Sequence, residues 1–61
     1  MKIVYIDTTG NENDELGFTN EDNFIIPDSG TIITVKAEKY EMRNASIDHL
    51  NKVTYLHLIK T

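Results

Sequence analysis

The two most strand-like segments of this chain, Lys2 to Asp7 (KIVYID) and Lys52 to Lys60 (KVTYLHLIK), are apolar on both faces. Successive side chains of a pleated strand point to opposite sides. Val4 and Ile6 therefore oppose Ile3 and Tyr5, while Val53, Tyr55, His57 and Ile59 oppose Thr54, Leu56 and Leu58. A strand greasy on both sides is central or covered twice. Yet 61 residues allow one small domain, over residues 1–61, and burial of only about 60 % of its unfolded surface. One sheet curled around one core uses one face, so one apolar set is left over. Cysteine is absent, which removes disulfide staples, thiolate metal sites and cysteine nucleophiles. Self-association is the remaining staple for so short a chain. A homo-oligomer is the firmest expectation. If Val4, Ile6, Val53, Tyr55 and Ile59 fill the core, its interface is Ile3, Tyr5, Leu56 and Leu58.

Between the end strands the pattern changes. Thr8 to Asn23 (TTGNENDELGFTNEDN) offers only Leu16 and Phe18 as apolar anchors and holds Glu12, Asp14, Glu15, Glu21 and Asp22 with no Lys or Arg. Its Gly and Asn content predicts a long acidic loop, either mobile or in contact with a partner. Phe24-Ile25-Ile26 is stopped by Pro27 and reads as an edge strand or strap. Pro27 to Gly30 reads as a tight turn. Thr31 to Lys39 alternates as one strand with Ile33, Val35 and Ala37 inward. From Tyr40 to Ile47 the apolar set changes face near Arg43-Asn44-Ala45, which a bulge would correct. Asp48 to Asn51 has turn chemistry. The outcome is four main strands and one short edge piece in antiparallel order.

The stretch from Ile26 to Leu58 also has a recognisable cadence. Pro27-x-x-Gly30 leads into Thr31-Ile32-Ile33, followed by Glu38-Lys39-Tyr40-Glu41-Met42 and the closing KVTYLHLIK. It resembles small all-β proteins, often phage-encoded, with a Pro-x-x-Gly-x-x-Ile strand start and a Tyr-x-apolar strand. The resemblance implies a small sheet or SH3-like barrel; with the strand pattern above, the expected fold is all-β, a small antiparallel sheet or SH3-like barrel of four to five strands with one long acidic loop. It also implies a binder or accessory factor, while the lack of a nucleophile–base pair, a metal set or a phosphate-cradling glycine loop in the sequence argues against an enzyme. An inhibitor or sponge acting on a host factor or its small-molecule signal is the expected role. A structural or adaptor module of a virion-like assembly and a nucleotide-binding barrel are the alternatives.

Several constellations tempt a sharper reading. Asp7-Thr8-Thr9-Gly10 is one threonine away from the Asp-Thr-Gly loop of aspartic proteases, but that chemistry needs a facing copy and the shorter spacing. A strand end whose aspartate accepts local backbone hydrogen bonds is the simpler account. Asn11 to Asp22 is oxygen-rich, yet counted as a calcium loop it has Leu16 at position six and Asp22 at position twelve, where glycine and glutamate are required. His49 and His57 lack metal-ligand spacing. Ser29 and Ser46 have no local signature of a nucleophile. No cofactor or metal is expected.

Charge is asymmetric. Ten acidic and six basic residues give a net charge of −4, and the pI is about 4.9, which disfavours a nucleic-acid surface. The acidic residues crowd the first half, while Lys36, Lys39, Arg43, Lys52 and Lys60 lie in the second. This points to head-to-tail complementarity between subunits or to a small anionic-ligand site on the basic half. Candidate ligand or partner contacts are Tyr40, Arg43 and Lys36 on the basic side, and Glu12, Asp14 and Glu15 on the acidic side. Tyr5, Tyr40 and Tyr55 could form a stacking platform, but tyrosines with rings in the core and hydroxyls at the rim are the simpler account. With no membrane-length apolar run and no leader pattern, a cytoplasmic location is expected, in the host if the protein is phage-encoded.

Overall fold

The computed structural model describes residues 1–10 and 12–61. The fold is all-β. Among the described residues five strands form one curled, open sheet: β1 (Lys2–Asp7), β2 (Asp14–Asn20), β3 (Ile32–Val35), β4 (Glu38–Asp48) and β5 (Val53–Lys60). Their order is β2-β1-β5-β4-β3. The two doubly apolar segments thus lie next to each other inside the sheet. Three adjacencies are antiparallel, but β1 and β5 run parallel, which corrects the expected antiparallel order at the centre of the sheet. A parallel neighbour requires a long crossover, here the chain from β2 through β4.

Register assigns every side chain to a face. Ile3, Tyr5 and Asp7 match Thr54, Leu56 and Leu58, which in turn match Ile47, Ala45 and Met42. These rows line the concave side. There Ile3, Tyr40, Met42, Leu56 and Leu58, each at most 5 % exposed, form the core, with Tyr5, Leu16, Phe24, Ile33, Val35 and Ala45 packed against it. The expected interface therefore has to be corrected. Ile3, Leu56 and Leu58 are the interior, and Val4, Ile6, Val53, Tyr55 and Ile59 are on the convex side. β4 decides the matter, because its ladder register shifts between Met42 and Asn44. The bulge leaves Arg43 unmatched and keeps Tyr40, Met42, Ala45 and Ile47 on one face, as the sequence pattern demanded.

Three further expectations change. The long acidic loop contains β2, paired with β1 across a bulge between Tyr5 and Ile6, where Leu16 is the unmatched residue. Its composition is poor for a strand, but the neighbouring β1 supplies half of the pairing and Leu16 an anchor to the core. Phe24-Ile25-Ile26 is not a strand. Phe24 reaches the core while Ile25 is 86 % exposed.

Three connections show how the chain turns. Asp28 to Thr31 is a turn closed by the Thr31 N–H donating to the Asp28 carbonyl at 3.1 Å. Gly30, with φ 94°, occupies its third position, where positive φ is needed. Gly30 N–H then donates to the Met42 carbonyl and Met42 N–H to the Thr31 carbonyl, both at 2.8 Å. Two residues thus face one, a glycine-headed bulge that launches β3. The expected single strand Thr31 to Lys39 is instead a hairpin. Lys36 and Ala37, with φ 52° and 65°, make the two-residue left-handed turn that matches strand twist. Asp48 accepts from Leu50 N–H and Asn51 N–H at 3.1 Å and from the Asn51 amide at 2.9 Å. Those bonds hold its carboxyl below the usual aspartate range and set the β4–β5 turn.

Candidate functional site

The convex face is where the structure leaves chemistry available. Phe18, Val4, Tyr55 and Ser46 form one row across β2, β1, β5 and β4, and Ile32, Glu41 and Ile59 form another. Val4 is only 2 % exposed without belonging to the core cluster, because Phe18 and Tyr55 flank it. Lys2 Nζ lies 4.5 Å from the Phe18 ring centroid, a cation–π contact on the same side. Ile6, Val53, Tyr55 and Ile59 are half-buried, whereas Phe18 and Ile32 are 58 % and 54 % exposed. The face is thus a mixed one, with apolar rows interrupted by His57, Asn44 and Glu41.

Within it, Ser46 Oγ and His57 Nε2 are 3.0 Å apart. Sequence reasoning treated these residues separately; their offset becomes visible only once β4 and β5 are paired with the bulge in place. The contact is that of a nucleophile and its base, but such chemistry also needs an orienting partner and oxyanion donors around a substrate cleft. Among the described residues no hydrogen bond orients the imidazole from behind, and there is no pocket. The pair links two strands.

The Asp7-Thr8-Thr9 segment is likewise structural. Asp7 Oδ1 accepts from the N–H of Thr9 at 2.9 Å and from its hydroxyl, and these bonds hold the Asp7 carboxyl below its ordinary 3.8. Thr8 N–H and Oγ1 both donate to the Leu58 carbonyl, at 2.7 and 2.9 Å. Lys60 N–H donates to Thr9 Oγ1 at 2.8 Å. The segment therefore ties the end of β1 to the end of β5.

The proposed contact residues are dispersed. Tyr40 is 5 % exposed within the core, so its ring cannot serve as an open stacking surface. Tyr5 also packs on the core side, where burial and then the charge of Glu21 push its phenol upward. Of the three tyrosines only Tyr55 belongs to the convex face. Arg43 is exposed at the bulge and bonded to Glu41 at 3.1 Å. Lys36 stands at the β3–β4 hairpin tip, while Glu12, Asp14 and Glu15 are exposed at the β2 edge, on the far side of the sheet. The structure thus joins the acidic residues to one another and separates them from the basic ones.

Among the described residues no group of three or more His, Asp or Glu side chains is placed to hold a metal ion. Asp14 to Asn20 is extended, so its side chains alternate between faces instead of converging; Asn11, the first position of the calcium count, lies outside the described residues. No described helix is long and apolar enough to cross a membrane. Comparison with known proteins finds no family model, no curated protein and no solved structure that this chain matches.

Proposed function

We propose that this protein is a non-enzymatic binding module that works as an oligomer and recognises a protein partner through its sheet. The observation that carries the reading is the second apolar side of the sheet: Ile6, Val53, Tyr55 and Ile59, all half-buried, face away from the core, and Phe18 and Ile32 extend that side to both edges. Apolar surface of this kind, rimmed by polar groups, is how proteins offer themselves to one another. Within the role of a phage-type inhibitor of a host factor, a protein target is favoured over a small-molecule signal. A ligand site of Tyr40, Lys36 and Arg43 is disfavoured by the burial of Tyr40.

The test is native mass spectrometry of the tagged protein purified from its source cells, beside the variant Tyr55→Lys. A protein partner in fixed stoichiometry that the variant loses, with circular dichroism unchanged, is the expected result. A bound small molecule, or wild-type protein free of any partner, contradicts the reading. The open sheet edges favour one second reading, a repeating structural module in a larger assembly.

A further inference from the structure

We infer that copies of this chain join head to tail, with the β2 edge of one pairing antiparallel to the β3 edge of the next, in the register that sets Phe18 opposite Ile32. The inference rests on the proposal that the protein works as an oligomer, and adds where the copies meet. Four observations converge on it.

The first is charge. Glu12, Asp14, Glu15, Glu21 and Asp22 are all exposed on and around β2, with no Lys or Arg between residues 8 and 31. At the opposite edge Glu38 is bonded to Lys60 and Glu41 to Arg43. Lys36 and Lys39 there have no carboxylate in contact among the described residues, and Asp28 lies beyond the start of β3. Two β2 edges would repel each other, whereas β2 against β3 attracts.

The second is polarity of the strands. Extending the sheet so that its convex side stays continuous puts β3 beside the next β2 in opposite directions, given the order and pairings observed. The third is the hydrogen-bond phase. Met42 N–H donates to Thr31, and Met1 and Glu21 exchange bonds of 3.0 Å in both directions. Ladder bonds of antiparallel strands alternate inward and outward. Ile32 and Phe18 are therefore residues whose backbone groups point out of the sheet. They can form a hydrogen-bonded pair.

The fourth is side-chain matching in that one register. Phe18 and Ile32 are on the convex face, each more than half exposed at its edge, and they become neighbours. Four residues on, Lys36 arrives at Asp14 and Glu15. On the concave side Ile33 lies over Gly17. A contact of this type is heterologous, so it closes into a ring or runs on as a filament.

The chain has no cysteine of its own, which makes a cross-linking test clean. Phe18→Cys and Ile32→Cys are prepared separately, mixed, and treated with a short bismaleimide. The inference expects cross-linked pairs in the mixture and none from either variant alone. Cross-linking of either variant to itself overturns it. No cross-link in a mixture that still sediments as an oligomer overturns the head-to-tail edge but leaves the oligomer standing. A monomeric wild type overturns both. As a second readout, Asp14→Lys or Lys36→Glu alone should weaken association about tenfold, and the two in one chain should restore it. Tighter association of Asp14→Lys on its own contradicts the inference, because that is the signature of two β2 edges meeting.

Discussion

At the residue scale the hairpin tip carries the clearest strain. Ala37 has φ 65°, a region that costs a residue with a Cβ about 1 kcal/mol or more relative to glycine. Ala37→Gly should therefore raise stability by about 1 kcal/mol, read as a higher urea midpoint with unchanged slope. A lower midpoint would mean that the turn is not left-handed. Asp7 makes a pH-dependent contribution through the same physics as any carboxylate that is better bonded when folded. Its folded value lies below 3.8, so its stabilisation is fully present above that value and is lost as the pH falls through the lower, folded one. Asp7→Asn should flatten that part of the acid-unfolding curve. An acid limb identical to that of the wild type would show that the Thr9 bonds contribute nothing.

At the element scale the decisive feature is the bulge at Arg43. Alternation in β1 and β5 cannot distinguish their two faces, since both are apolar; the set Tyr40, Met42, Ala45 and Ile47 on β4 does. Leu58→Lys places a charge in the core and should abolish folding, as burying an unpaired charge costs several kcal/mol. Ile59→Lys should leave the circular dichroism spectrum intact, because Ile59 is half-buried on the convex side. The opposite outcome would restore the reversed assignment of faces. Much of this scale was legible in the residues: β1 as Lys2 to Asp7, β5 as Lys52 to Lys60 against the observed Val53–Lys60, the turn after Asp48 and the bulge itself. β2 was not, because Asp14, Glu15, Gly17 and Asn20 all disfavour strands, and only pairing with β1 makes one of them. The split of Thr31 to Lys39 was also hidden, since Lys36 and Ala37 carry none of the Asn or Gly that announces a tight hairpin.

At the scale of the whole molecule, a sheet apolar on two sides meets a chain too short to cover both. The concave side is closed by β4 together with Leu16 and Phe24, and the convex side keeps Ile6, Tyr55 and Ile59 half-exposed. The need for a leftover face was readable from alternation in KIVYID and KVTYLHLIK; which residues form it was not, because that depends on pairing between distant strands. The candidate contacts fared similarly. Clustering of Glu12, Asp14 and Glu15 follows from their nearness in sequence, whereas the Ser46–His57 contact and the edge positions of Phe18 and Ile32 exist only in the assembled sheet.

Self-association is the claim on which the functional account depends, and sedimentation velocity of the untagged wild-type protein at micromolar concentration tests it most directly. The account predicts a folded species at a multiple of 7.0 kDa that dissociates as ionic strength rises, since the complementary edges are exposed and screened by salt. A stably folded 7.0 kDa monomer at low salt would contradict it.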